Sequence, residues 1–384
     1  MIKYYFTIIF LFSLGFGIAQ DPAFSQFYIQ RMYLNPALTG TDRGLAASFG
    51  YRHSWRSIDK GFKTIMATAE IRNDCAFKNG AIGLGLLVAS TKEGLAGYQR
   101  NDVGFGFNLM LGNEIWGGNL GITTRWRQES VNTSGFVFSD QLDPIRPDIS
   151  PSTFAYPLMN QRSLMDVDAG FLIRFDTKNI RPKAKVYPKI LLGGSMNNLV
   201  SFWKGNHNSF IDTGTSGNVP RLSLHGSMAF KVAKNDGDYN TIHPVVVARV
   251  ESQGVNPMAF KKNLVLSTFG SYLMFNKFYL GGMYQHRSLI PSNLTHVRSW
   301  ILAVGLFLPK DKKSGNEIQQ GILGLSWDLN STDRALGTST GNAFELSLRM
   351  RFANNGCWGI SKAKTVAEKR NVKTRIPDCE DFLK

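Results

Sequence analysis

Apolar side chains alternate with polar or small ones, two residues per repeat, through most of the chain. This is the pattern of a sheet with one greasy face. It is cleanest over 119–127, where Leu120, Ile122, Thr124 and Trp126 alternate with Asn119, Gly121, Thr123, Arg125 and Arg127. It recurs over 102–111 with Val103, Phe105, Phe107, Leu109 and Leu111, and over 344–352 with Phe344, Leu346, Leu348, Met350 and Phe352 opposite Glu345, Ser347, Arg349 and Arg351. Reading each alternating stretch as a strand predicts 44–55, 62–73, 80–90, 100–112, 117–129, 163–176, 185–200, 220–234, 240–253, 263–275, 277–288, 298–309, 317–330 and 342–352. That is an all-β chain of about 14 antiparallel strands, with a range of roughly 12–16 because strand ends are poorly marked.

Such a chain is either a secreted β-sandwich or a transmembrane barrel whose apolar face meets lipid. The connections favour the barrel. One set (74–79, 113–116, 177–184, 235–239, 276 and 310–316) is short and rich in Asn, Asp, Gly and Lys, while the opposite set includes 130–162 and 201–219. Short periplasmic turns facing long extracellular loops are the outer-membrane arrangement, and strands of roughly 10 residues suit a tilted span. Tyr51, Trp55, Trp116, Trp126, Trp203, Tyr284, Trp300 and Trp327 lie near strand ends, where aromatic girdles form.

The chain opens with a targeting signal, residues 1–19. Lys3 is followed by an apolar run over 8–16, and Gly17 and Ala19 occupy the small-residue positions of a cleavage site, leaving Gln20 first. A membrane anchor is the alternative, but the run falls short of the roughly 20 residues a spanning helix needs. An exported chain with no later apolar helix must cross a membrane, if it does, as a closed barrel. Its three cysteines, Cys75, Cys357 and Cys379, lack metal-ligand spacing. Cys357 and Cys379 are the preferred disulfide pair, with three free thiols the alternative.

Composition narrows the function. The 384 residues carry a formal net charge of +16 and are 43% hydrophobic, too apolar for disorder and too polar for a helical membrane bundle. The predicted lumen face carries Arg125, Arg127, Arg174, Arg221, Lys231, Arg249, Arg287, Arg349 and Arg351. An open lumen so lined would favour anions. The plainer reading pairs these arginines with Asp102, Asp166, Asp168, Asp328 and Glu345 across strands. The six histidines are scattered without nucleophile or metal spacing, so no catalytic residue, metal or cofactor is assigned. Gly83/Gly85 and Gly104/Gly106 recur at strand spacing with no following helix, which points to packing rather than phosphate binding. The basic charge is dispersed, which argues against nucleic acid. Asp140, Asp143 and Asp148 are surface acids more naturally solvated than calcium-bound.

Two segments fall outside residues 44–352. Residues 20–43 precede the first strand, and Phe24, Phe27, Tyr28 and Met32 recur at near-helical spacing before Asn35-Pro36 stops a helix. This segment is expected to tuck into the lumen as a plug or to dock on a partner. The tail, 353–384, carries Lys362, Lys364, Lys369, Arg370, Lys373 and Arg375 among few acids, and with an even strand count it lies in the periplasm, suited to an acidic protein partner or simply to solvation.

QDPAFSQFY (20–28), YLNPALTG (33–40), YRHSWRSI (51–58) with Phe62, and FSDQLD (138–143) resemble the PorP/SprF family of type IX secretion system membrane proteins. The resemblance implies a barrel in the outer membrane of a Gram-negative bacterium, an accessory to protein secretion and gliding motility rather than the translocation pore. It implies contact with a secreted surface adhesin or its C-terminal domain, with periplasmic secretion and gliding lipoproteins, and with a peptidoglycan-associated protein. Phe24, Phe27, Tyr28, Tyr33, Asn35 and Pro36 become the family-specific element, while Trp55 and Ile58 join Asp140 and Asp143 near the outer loops. An anion- or solute-conducting porin is the rival function.

Overall fold

The computed structural model describes residues 23–42, 44–57, 61–77, 80–94, 97–113, 115–131, 161–177, 180, 186–203, 211–212, 219–232, 242–254, 256–259, 263–275, 277–288, 296–308, 318–332 and 341–352. Among them are strands β1 (Leu45–Ser54), β2 (Phe62–Phe77), β3 (Gly80–Glu93), β4 (Tyr98–Gly112), β5 (Trp116–Val131), β6 (Gln161–Asp176), β7 (Val186–Asn197), β8 (Ile211–Asp212), β9 (Arg221–Val232), β10 (His243–Gln253), β11 (Leu264–Met274), β12 (Phe278–Ser288), β13 (His296–Leu308), β14 (Ile318–Thr332) and β15 (Ala343–Phe352). The two-residue β8 lies against β6. The other fourteen form one closed antiparallel barrel in which chain neighbours pair throughout and β1 zips onto β15. Closure leaves no edge strand, so every span can satisfy its backbone groups in a bilayer.

The alternation maps onto the two faces. Phe105, Leu120, Ile122, Leu302 and Leu306 all lie more than half exposed on the outer wall, where lipid would cover them. Their strand neighbours Asp102, Thr123, Arg125 and Ser299 are buried on the lumen side. Trp116, Trp126, Trp300 and Trp327 are exposed outside, and Tyr284 packs on Trp300 with ring centroids 5.2 Å apart. No helix among the described residues is long and apolar enough to cross a membrane.

Two expectations need correction. The seventh strand ends at Asn197 rather than 200, because Asn198 takes a left-handed conformation (φ 59) and a short helix, Leu199–Trp203, follows. The near-helical reading of the N-terminal segment is also too generous. Residues 25–30 form turns, and only Arg31–Leu34 (α1) and the 3-10 turn Pro36–Leu38 are helical. Barrel side chains satisfy much of the remaining backbone, which removes the need for a continuous helical ladder.

Candidate functional site

Residues 23–42 thread the inside of the barrel, and all of them are buried except Tyr28, which is half-buried. The segment is short of internal structure and is held from outside by the wall. Asn35 shows how one residue serves both needs. Its extended backbone (φ −155) ends α1, and its Oδ1 accepts from Ala37 N at 2.9 Å, capping the 3-10 turn that Pro36 begins. Its Nδ2 donates to the carbonyls of Phe171 at 2.9 Å and Gly194 at 3.2 Å and faces His225 Nε2 at 3.0 Å. Asn108 donates to the carbonyls of Ala37 and Thr39, and Asn119 reaches Ala37 as well.

Glycines make this approach possible. A Cβ on Gly121 would stand 2.2 Å from the Pro36 carbonyl carbon, one on Gly170 2.0 Å from Asn35 Oδ1, and one on Gly83 2.3 Å from the Thr39 oxygen. Gly40, at φ +62, meets Gly83 backbone to backbone. The Asn-Pro-Ala-Leu-Thr-Gly run is therefore shaped to a glycine-lined wall formed by β3, β5 and β6. The expectation that Gly83 and Gly85 serve packing matches this geometry. Gly104 instead faces Thr123 and Leu87 of the wall itself.

Charge fastens both ends of the segment. Glu345 accepts from Ser25 N at 2.7 Å and Gln26 N at 3.0 Å, and Arg52 bridges Glu345 (3.1 Å) to Asp328 (2.5 Å). The Ser25 hydroxyl donates to Asp328 and accepts from Arg52. At the far end Asp42 receives Arg31 and, at 2.7 Å, Arg349, which also donates to Glu70 at 3.0 Å. Burial alone would raise the Asp42 pKa, but the Arg31 and Arg349 charges outweigh it and hold the carboxyl well below the ordinary range. For the half-buried Tyr28, whose hydroxyl donates to the Gly226 carbonyl, desolvation dominates and raises the phenol above its ordinary value.

The aromatic residues singled out in the sequence line the same segment. Phe24 and Phe27 are each 1% exposed, Phe24 packs edge-on against Tyr33 at 5.9 Å, and Arg249 lies over the Phe27 ring at 4.5 Å. Arg221 lies over Tyr33 at 5.0 Å. Of the lumen arginines, Arg125 meets Asp168 at 2.8 Å and Arg127 meets Asp102 at 2.7 Å. Arg351 is half-buried on the same face of β15 as Arg349. Asp166 departs from the expected arginine pairing, bonding instead to Val200 N and Ser201 Oγ of the short helix. Trp55 sits at the end of β1 with φ 57, its ring 4.7 Å from that of Phe62.

Ile58, Asp140, Asp143, Cys357, Cys379, Lys362, Lys364, Lys369, Arg370, Lys373 and Arg375 lie outside the described residues, as do the signal segment and the Lys231 side chain. Sequence reasoning missed Arg31, Asp42, Arg52 and Glu70. Glu70 and Arg52 do sit at the lumen parity of their strands, a signal that was present, whereas Asp42 carries none. Among the described residues no group of His, Cys, Asp or Glu is arranged to hold a metal ion.

No curated protein matches the chain. Solved structures similar in fold include a FadL homologue from Pseudomonas aeruginosa (8% identity, TM-score 0.40, 80% of this chain and 90% of that one). Others are the CymD monoaromatic hydrocarbon channel (10%, 0.40, 88% and 96%) and BamA from Haemophilus ducreyi lacking POTRA domains 1–3 (8%, 0.38, 80% and 70%). The family model described as type IX secretion system membrane protein PorP/SprF matches residues 17–350. The chain, an outer-membrane β-barrel, therefore belongs to the PorP/SprF family of type IX secretion system membrane proteins.

Proposed function

We propose that residues 23–42 are a resident plug and that the barrel serves type IX secretion as a non-enzymatic, non-conducting docking scaffold. The carrying observation is the fit of this segment to the lumen, buried at every residue but Tyr28 and seated against glycines where any added side chain would collide with it. A conduit would need a lumen free to pass solute. Here the arginines that would attract anions are largely engaged by acids and by the segment itself. In this reading the long outer connections, 132–160 and 198–220, meet a secreted surface adhesin or its C-terminal domain. The periplasmic rim and basic tail meet secretion and gliding lipoproteins and a peptidoglycan-associated protein, and lipid-facing strands hold the two sides in register.

Affinity purification of the detergent-extracted protein from its native membrane, followed by mass spectrometry, tests the partners. Recovery of a large secreted adhesin with secretion lipoproteins is expected, and deletion of 353–384 should lose the periplasmic set alone. Planar-bilayer recording of the full chain tests the plug and should give a silent barrel. A steady anion-selective conductance would overturn the scaffold reading in favour of a porin.

A further inference from the structure

Beyond blocking the lumen, the plug has a second relation to the barrel that its contacts single out. The first and last barrel strands meet at one seam, where β1 pairs with β15 and Arg52 stands opposite Glu345 and Ser48 opposite Arg349. This seam joins residues about 300 positions apart, whereas most other strand pairs are local hairpins whose closing loops are short.

The last strand carries two buried charged residues on its lumen face, Glu345 and Arg349, and both bond to the plug as well as to wall residues. Glu345 takes the backbone N–H groups of Ser25 and Gln26, at the plug's start. Arg349 takes Asp42, at its end, through Nε at 2.9 Å and Nη2 at 2.7 Å. The strands on either side of β15, and β2 beyond β1, are drawn in at the same points. Arg52 of β1 and Asp328 of β14 share the Ser25 hydroxyl, and Glu70 of β2 binds both Arg349 and the Gly40 N–H at 2.9 Å. The plug is thus fastened at two points to the strand that arrives last, with its middle held by other walls through Asn35 and Ala37.

An empty closed barrel would be a poor alternative. Val245, Val247, Met283 and Ile301 are buried in one apolar cluster with Phe27, Ile29 and Leu38 of the segment, and emptying the lumen would remove those partners. We propose that residues 23–42 act as a clasp for the seam, in the lumen before β1 and β15 zip, with Ser25 and Asp42 as its two fasteners on β15. The plug then couples completion of the barrel to its own seating, so that closed empty barrels do not accumulate.

Paired cysteines on the lipid face can time closure in the full chain. With Cys75→Ser, Cys357→Ser and Cys379→Ser as background, Phe49→Cys with Leu348→Cys reports the seam. Leu120→Cys with Phe171→Cys reports the remote β5–β6 pair, since both couples are register partners. Refolding from urea into detergent micelles under mild oxidation gives a crosslinking rate for each. Asp42→Asn, and the milder Ser25→Ala, which keeps the N–H bond to Glu345 but loses the hydroxyl bonds to Arg52 across the seam and to Asp328, should slow the seam pair about tenfold while the remote pair stays within about twofold, the scale expected when a charge-assisted bond is lost at one of two separated sites. Asn35→Ala, which loosens the plug away from the seam, should leave the seam rate unchanged. Equal slowing of both pairs, loss of both, or no slowing in Ser25→Ala and Asp42→Asn would overturn the clasp. None of these outcomes bears on whether the full chain conducts.

Discussion

Two sectors of the lumen wall grip the same N-terminal segment by opposite means. On β2 to β6 and β15 the wall is glycine, asparagine and charge, and it holds residues 35–42 by backbone contact and ion pairs. On β10 to β14 it carries an apolar stretch, where Val245, Val247, Met283, Ile301, Ala303 and Ile322 cluster with Phe27, Ile29 and Leu38. The first sector is position-specific, since each hydrogen bond and each missing Cβ admits one arrangement. The second is closer to an oil-like seat. It contains two adaptable methionines, Met274 and Met283, and borders a cavity of about 30 Å³ lined in part by Tyr28, Tyr272, Tyr279 and Phe307. Specificity of seating thus resides in the polar sector, and the apolar sector supplies burial.

This contrast can be broken from its strong end. Arg349→Met leaves Glu70 without its guanidinium and Asp42 with one arginine fewer, and it should destabilise the folded state by about 3–5 kcal/mol, read as a lower urea midpoint in detergent. Gly121→Val pushes a side chain into the Pro36 backbone, where nothing flexible can yield, and should cost about 3 kcal/mol by the same assay. Ile301→Val, in the apolar sector, should cost only about 1 kcal/mol, because the surrounding side chains can partly refill the gap. A loss as large as that of Gly121→Val would erase the distinction between the sectors.

The smallest effect is expected from mild acid. Asp42 has a folded pKa below its ordinary value, so the stability it contributes is fully present above that value and is lost only as pH falls through the lower one. Titrating from neutrality to about pH 4 should therefore leave the Asp42 contribution intact, with the loss arriving in stronger acid. Thermal midpoints of the wild type and Asp42→Asn should run parallel over that range and converge below it. A gap that closes already near pH 5 would mean that the two arginines do not hold the carboxylate as the geometry implies.

The fold was legible because its determinants are local. Phe105, Phe107, Leu120 and Ile122 declare their face by parity, and a bilayer demands an unbroken apolar surface from every strand. The parity also placed Arg125, Arg127 and Arg349 inside. It could not say which acid each arginine meets, and so Asp166 was assigned an arginine when it binds a helix terminus. The aromatic and Asn-Pro residues of the N-terminal segment stood out, yet their spacing suggested a longer helix than the chain forms. Isolated helical spacing carries no information about wall residues that compete for the same backbone groups.

What the amino-acid sequence determined by itself is the antiparallel barrel, its approximate strand count, its two faces and the distinctness of the segment before it. Only the tertiary structure decided where that segment lies, that Gly121 must be glycine because Pro36 rests on it, and that Glu345 and Arg349 serve residues at the opposite end of the chain. The physical reason is range. Alternation is written by neighbours two residues apart and enforced by the membrane, while the lumen contacts join positions up to 320 residues apart and exist only once the sheet has curled onto itself.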